Sequence, residues 1–204
     1  MNLFFDRLGV MKKLLAILVL TLCLTTPSQA DDIRDFQIEG ISVGDSLLDY
    51  FKEEEIKKAQ KNSYDYSNKF IDFWVPAKIK NKNDYDRVSI VNKKYDSKYI
   101  IYGVTASKNL TNNFEICLQL KKEVVDELSS MFVNAKKKNT GKEKHPADKT
   151  GKSFAYSTIF YIGDGYVKIA CFDFYDNNPD NWFDEFRVDI VTEEFGNFLK
   201  KHYK

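Results

Sequence analysis

Few side chains in this sequence have the types and spacing that catalysis needs. Beyond residue 30 the chain carries two histidines, His145 in a lysine-rich stretch and His202 near the C-terminus. Neither histidine stands in a recognisable motif with a serine or cysteine that would act as a nucleophile. The sequence therefore predicts no catalytic residue, no bound cofactor and no metal ligand, and both histidines are expected on the surface.

Carboxylates offer two weaker candidates for chemistry. Asp72 stands among apolar residues in FIDFWV, so it is either a carboxylate of raised pKa in a pocket or a residue on the solvent face of a strand. The second candidate is the acidic stretch 173–185, DFYDNNPDNWFDE, whose oxygen ligands would suit Ca²⁺. Its spacing differs from that of a calcium-binding EF-hand loop, and its Asn, Asp and Pro content is typical of turns, which favours a plain loop.

Two further clusters are candidates for binding rather than catalysis. Residues 136–152, KKKNTGKEKHPADKTGK, are predicted to form a polar loop. This loop either contacts an anionic lipid or polysaccharide or is simply solvated. Its proposed anion contacts are Lys136, Lys137, Lys138, Lys142 and Lys144. The aromatic residues before Pro76 form either a platform that stacks on a ligand or part of the core. They are Tyr64, Tyr66, Phe70, Phe73 and Trp74.

The N-terminal residues predict export. Lys12 and Lys13 precede the apolar run LLAILVLTLCL at 14–24, and Ser28-Gln29-Ala30 supplies small residues for a signal peptidase. The run is shorter than the roughly 20 apolar residues of a membrane-spanning helix. We therefore expect residues 1–30 to be a cleavable signal peptide, with Met11 a better start than Met1. The mature protein is expected to be periplasmic or secreted.

Residues 31–204 have a length and composition that suit a single soluble domain. Removing Arg7, Lys12, Lys13 and Asp6 with the signal leaves 28 basic and 29 acidic residues, a near-neutral balance. That balance argues against a partner that is a nucleic acid. A second apolar run of spanning length is lacking, so no transmembrane segment is expected after signal cleavage.

Two cysteines, Cys117 and Cys171, remain after residue 30. An even number of cysteines in an oxidising compartment favours a disulfide bond between them. The alternative is two buried free thiols, because free cysteine is a common core residue.

Hydrophobic periodicity indicates the elements that must position these residues. FEICLQL at 114–120 fits either the start of a long helix or a strand, and the helix is favoured because its register continues into VVDELSSMF. The sequence predicts an α+β domain with one antiparallel sheet of about six strands and a long central helix, with shorter N- and C-terminal helices packed on the same face. Helices are expected at 47–61, 114–135 and 193–202, and strands at 70–75, 86–92, 99–107, 153–161, 166–174 and about 186–190.

Three segments resemble a group of uncharacterised exported proteins of marine alphaproteobacteria. They are FQIEGISVGDSLLDYF at 36–51, the helix with Cys117 and ELSSMF at 127–132, and GDGYVKIAC at 163–171. The resemblance implies a periplasmic location and assigns no activity, cofactor or catalytic residue.

The leading functional hypothesis is an exported, non-enzymatic module that binds a small ligand or an envelope protein. Its contact surface would be the lysine-rich stretch or the aromatic cluster. One alternative is an envelope-directed hydrolase that uses carboxylates such as Asp72 and Asp173, and another is a structural envelope protein.

Overall fold

One antiparallel sheet of eight strands organises the computed structural model, which describes residues 32–75, 85–111, 113–178 and 181–202. The predicted signal at 1–30 lies outside the described residues. The strand order is β1-β2-β3-β4-β8-β7-β6-β5. The α+β class and the single antiparallel sheet are confirmed, while the predicted count of about six strands is too low. The strands are Tyr64–Tyr66 (β1), Phe70–Trp74 (β2), Arg87–Lys93 (β3), Ile101–Asn109 (β4), Lys136–Lys144 (β5), Phe154–Ile162 (β6), Gly165–Asp173 (β7) and Glu185–Thr192 (β8).

The two additional strands lie at the edges of the sheet. The prediction of a loop over 136–152 is wrong in its first half, because Lys136–Lys144 pairs with β6 along its whole length. A bulge between Asn139 and Gly141 interrupts this pairing. The sequence of β5 has no apolar alternation because the strand is exposed, and lysines on an edge strand discourage pairing with another chain.

Three α-helices accompany the sheet in the described residues: Glu53–Gln60 (α1), Phe114–Met131 (α2) and Glu193–His202 (α3). The helix predicted over 47–61 is broken, because Leu47–Asp49 forms a separate 3₁₀ turn capped by Ser46. The backbone N–H of Leu47 donates to the carbonyl of Tyr99 at 3.0 Å, which holds this turn against the start of β4. Tertiary contact has overridden the local helical preference here. None of the described helices combines the length and hydropathy that a membrane span requires.

Helix α2 covers the first face of the sheet and forms the main core. Its buried residues Cys117, Leu120 and Leu128 belong to the same cluster as Ile169 and Ile190 of the central strands. The Sγ atoms of Cys117 and Cys171 are 2.04 Å apart, so the predicted partners lie at disulfide distance and join α2 to β7. The helical interpretation of 114–120 is also confirmed.

Helix α3 packs on the second face, so the prediction that all helices share one face is wrong. Phe195 and Phe198 contact a separate cluster that includes Phe70, Val91 and Val191. Side chains alternate between faces along a strand, and Val191 points away from Ile190, which belongs to the main core. The chain passes directly from β8 into α3, whose apolar side meets this second face. Helix α3 contacts β4, β7 and β8 and leaves part of the face over β5, β6 and β7 open.

Candidate functional site

The open part of the second face contains a cleft of about 360 Å³. Small-ligand pockets typically have volumes of about 300–1,000 Å³, so the cleft is large enough for a small molecule. Strands β6, β7 and β8 form its floor, α3 borders one end, and the segment after β5 borders the other. Its lining residues are Thr140, Glu143, Lys144, His145, Pro146, Ala155, Ser157, Ile159, Tyr161, Tyr166, Lys168, Phe172, Arg187 and Lys200.

Small side chains account for the depth of the cleft. Ser157 of β6 lies directly opposite Ala170 of β7, and Ala155 lies opposite Phe172. Alternation along each strand directs these side chains to the second face. The small residues stand between Tyr161 on one side and Phe172 on the other, which leaves a hollow above the strands.

Arg187 provides the positive charge in the floor. It lies opposite Ala170 in the β7–β8 pairing, and its guanidinium stands 4.4 Å from the centre of the Phe172 ring. The same guanidinium forms an ion pair with Glu185, which is only 6% exposed. The Arg187 side chain remains 33% exposed, and its Nε is buried without a hydrogen-bond acceptor. Stacking and the ion pair therefore fix a guanidinium whose donors are only partly satisfied.

His145 stands at the opposite end of the cleft from α3. Its ring meets the rings of Phe172, Phe174 and Trp182 at centroid distances of 5.6, 5.0 and 5.2 Å. Burial, followed by the positive charges of Arg187 and Lys168, lowers the pKa of His145 below its ordinary value. The expectation of an exposed histidine is wrong, because this ring is half-buried.

Asp148 organises the loop that carries His145. Its carboxylate accepts hydrogen bonds from the backbone N–H groups of Thr150 at 2.8 Å and Ser153 at 2.7 Å. Bonds to Ser153 and Thr150 hold the pKa of Asp148 well below its usual range. The backbone N–H of His145 donates to the backbone carbonyl of Ser153 at 2.9 Å, which closes the loop. The Asp148 carboxylate thus forms its hydrogen bonds within its own loop.

Lysines of the predicted anion-contact stretch divide between the two faces. Lys137 donates from its Nζ to the Ser129 hydroxyl of α2 at 3.0 Å, and the Lys142 Nζ lies 3.9 Å from the centre of the Phe154 ring, so both are on the first face. Lys136 and Lys138 alternate with them and lie on the second face, opposite Tyr161 and Ile159. Lys144 ends β5 at the rim of the cleft. The five lysines consequently do not form one patch.

Two lysines that sequence reasoning did not select lie at the cleft, Lys168 on β7 and Lys200 on α3. Among the described residues, no carboxylate lies within ion-pair distance of either one. Asp189 is the cross-strand neighbour of Lys168 and keeps its negative charge, since its hydrogen bond at 2.8 Å comes from the neutral Thr105 hydroxyl, but the two side chains form no ion pair. The two ammonium groups are therefore available to an anionic ligand.

Sequence reasoning missed Lys168, Arg187 and Lys200 because each occupies an ordinary polar position of a strand or helix. Arg187 did carry a signal, since it is one of only four arginines among 31 basic residues and stands in the middle of a strand pattern. Its partners become visible only when the strand register is known.

The carboxylates proposed for a hydrolase do not share a site. Burial raises the pKa of Asp72 to about 6 against a lowering by the Ser89 hydroxyl, but Asp72 does not line the cleft. Asp72 is on β2 and on the second face, whereas Asp173 ends β7 on the first face, because its neighbour Phe172 lines the cleft.

The acidic stretch 173–185 is used by the fold rather than gathered around a cation position. The Asp184 carboxylate accepts from the backbone N–H of Phe174 at 2.8 Å, and Glu185 pairs with Arg187. The Asn178 side-chain amide holds the loop by donating to the backbone carbonyls of Tyr175 and Trp182 and accepting from the Trp182 backbone N–H. Asp180 lies outside the described residues, and within the described part of the chain no three His, Cys, Asp or Glu side chains are grouped so that they could hold a metal ion.

The aromatic cluster before Pro76 is divided by the sheet. Phe70 is buried beneath α3 on the second face, and Phe73 is buried in the main core on the first face. Tyr64 and Trp74 are exposed at the sheet edge. These residues do not form one stacking platform.

No protein-family model, curated protein or solved structure matches this chain.

Proposed function

We propose that this protein is an exported, non-enzymatic binding module that holds a small anionic ligand in the cleft of the second face. The observation that carries the proposal is Arg187, whose guanidinium is fixed in the floor of the cleft by Phe172 and Glu185 while a third of its side chain stays exposed. Lys168 and Lys200 add positive charge that no described carboxylate neutralises. Charge-assisted hydrogen bonds in such a partly buried site favour an oxyanion.

Binding without catalysis is supported by the surroundings of His145. Its Nδ1 has no hydrogen-bond partner among the described residues, and its ring is held by three aromatic rings. A nucleophile activated by histidine requires a hydroxyl or thiol within hydrogen-bonding distance of the ring. His145 therefore serves as part of the cleft wall.

Export is part of the same proposal. It rests on the signal-like residues 1–30, on the resemblance to exported alphaproteobacterial proteins, and on the cysteine pair at disulfide distance. Disulfide bonds persist in oxidising compartments such as the periplasm.

The proposal is tested by titrating protein secreted under its own signal with phosphate, citrate and galacturonate while NMR follows the Arg187 Nε–H resonance. Binding should shift this resonance. K168Q and K200Q should each weaken the affinity for the anion about tenfold, because a charge-assisted contact is worth roughly 1.5 kcal/mol. K142Q is a matched control, since the Lys142 Nζ lies over the Phe154 ring on the first face, as the Lys168 Nζ lies over the Phe172 ring at 5.4 Å on the second face. Lys201, the neighbour of Lys200 outside the cleft lining, gives the control K201Q. Failure of all three anions to shift the resonance would refute the proposal.

A hydrolase is the second candidate, on the single observation that the pKa of Asp72 is raised to about 6. A carboxyl group with such a pKa suits general acid–base catalysis near neutral pH. Asp72→Asn would abolish hydrolysis of envelope saccharide or peptide. Hydrolysis that survives Asp72→Asn would remove this residue from the mechanism.

A further inference from the structure

Cations of the second face lie in three successive rows across the sheet. Each row consists of residues that the strand register places side by side. The rows contain four cations from the strands: Lys136, Lys138, Lys168 and Arg187. Residues two apart in a strand are separated by about 6.8 Å, so three rows extend over about 14 Å. Read from β5 toward β8, the rows are Lys136–Tyr161–Tyr166, Lys138–Ile159–Lys168 and Ser157–Ala170–Arg187.

Lys200 adds a further cation to the first row. It lines the cleft together with Tyr161 and Tyr166, and it also borders a smaller recess of about 140 Å³ beside the same two rings. Positive charge thus runs from α3 at one end of the cleft to Arg187 near its middle.

Positive charge exceeds negative charge along these rows. The second face of β5 to β8 and the side of α3 that borders it together contribute five cations and four carboxylates, namely Lys136, Lys138, Lys168, Arg187 and Lys200 against Glu143, Glu185, Asp189 and Glu193, which borders the same recess as Lys200. Glu185 is paired with Arg187, and Asp189 keeps its negative charge near Arg187 and Lys168. The remaining imbalance is spread along a line, which suits an extended anion better than a compact one.

We propose that an acidic oligosaccharide binds in extended form, in the cleft and across the adjoining face of β5 that carries Lys136 and Lys138, with one anionic group at each of the three cationic rows. This inference rests on the proposed function and adds the chemical class and shape of the ligand. The carboxylate or sulfate groups of the sugar would contact the lysine and arginine side chains. The hydroxyl groups of Ser157, Thr140, Tyr161 and Tyr166 stand among the lining residues and would accept or donate hydrogen bonds to sugar hydroxyls.

The arrangement of the rings favours a saccharide over a single-stranded nucleic acid. Nucleic-acid bases need free aromatic faces on which to stack in succession. The His145 ring is packed against three other rings, and the Lys136 Nζ lies 5.9 Å from the centre of the Tyr161 ring. The third row offers Ser157 and Ala170 and no ring at all.

Calorimetric titration with galacturonic acid and its dimer, trimer and tetramer tests the proposal on the full secreted chain. Affinity should rise severalfold with each added unit up to the trimer and then level off, because three rows are available. Maltotriose, which has the same length and no charge, should not bind. A sulfated trisaccharide of the same length distinguishes sulfate from carboxylate as the anionic group, and thymidine oligonucleotides test the nucleic-acid alternative.

Neighbouring lysines of β5 provide the matched variants. K138Q should weaken trimer binding at least fivefold and leave monomer binding nearly unchanged, since the monomer binds among Arg187, Lys168 and Lys200 in the cleft and Lys138 lies outside the cleft lining. K137Q removes the adjacent lysine on the first face and should leave both affinities unchanged.

Each outcome separates this inference from the proposed function. Monomer and trimer binding with equal affinity, both weakened by K168Q, would overturn the extended ligand while the anion-binding function stands. Equal or tighter binding of maltotriose or of the oligonucleotide would overturn the acidic saccharide. Failure of every anion to bind would overturn both proposals.

Discussion

At the scale of single residues, the second face holds polar groups that the fold leaves incompletely satisfied. Arg187 Nε, His145 Nδ1 and Asp72 Oδ1 are all buried without a hydrogen-bond partner among the described residues. Each such group costs free energy when buried, so a protein retains it only where other interactions compensate. Two of these residues, Arg187 and His145, lie at the cleft, so the free-energy cost of their unpaired groups falls at the proposed binding site.

Asp72 should make stability depend on pH. Its folded pKa of about 6 lies above the unfolded value of about 3.9, so the native state binds more protons between pH 4 and 6. The free energy of unfolding should therefore fall as pH rises through this window, by roughly 1–3 kcal/mol. Urea unfolding of the wild type and Asp72→Asn at pH 4 and pH 7 measures the effect.

The variant is compared with the wild type because His145 changes stability with pH in the opposite direction to Asp72. Its lowered pKa makes stability fall as pH drops below about 6.5, and this contribution cancels in the difference between the two proteins. Asp72→Asn should lose the stability gap between pH 4 and pH 7 that Asp72 causes. An identical pH dependence in both proteins would show that Asp72 is not the titrating group.

At the scale of elements, apolar patterning decided which parts of the fold were predictable. β4, β6 and β7 were found because apolar residues alternate along them, and α2 was found because its apolar stripe has helical spacing. β5 was missed because an exposed edge strand needs no apolar residue, and β1 was missed because it has only three residues. The cleft was missed because strand register, which brings Lys138, Lys168 and Arg187 to one face, is not written in any local pattern.

The lysines of β5 should protect the open edge of the sheet from pairing with another chain. We expect the triple replacement K136T, K138T and K142T to self-associate, because it removes charge and raises strand propensity at that edge. Sedimentation velocity over a range of concentrations should show dimers or larger species. The control replaces Lys122, Lys149 and Lys201 by threonine, which changes the net charge equally but lies outside β5. Self-association of both triple variants would assign the effect to net charge instead.

At the scale of the whole molecule, the sheet consists of two four-stranded antiparallel runs. β1 to β4 form one run, β5 to β8 form the other, and they meet where β4 pairs with β8. The second run and α3 supply all the lining residues of the cleft. β7 connects the cleft with the main core, because one of its faces lines the cleft and the other carries Cys171 toward α2.

The Cys117–Cys171 bond should therefore stabilise both the domain and the cleft. It joins residues 54 positions apart, and the chain-entropy relation for such a loop gives about 4 kcal/mol. The double variant C117A/C171A should lose roughly 2–5 kcal/mol in urea unfolding. Its affinity for a cleft ligand should fall when measured under conditions where it is still folded. Unchanged stability in the double variant, or in the wild type after full reduction, would contradict this role.

The strand order also sets the sequence in which the sheet is completed as the chain emerges from the ribosome or crosses a membrane. β8, the last strand, pairs with β4 on one side and β7 on the other, so it enters the middle of the sheet. Until residues 185–192 have emerged, β4 and β7 both present unpaired backbone, and each carries a single lysine, Lys108 or Lys168, where β5 has five. A chain interrupted before residue 185 would thus lack the joint between its two halves. Pairing of residues 185–192 with both β4 and β7 is therefore the step that closes the sheet.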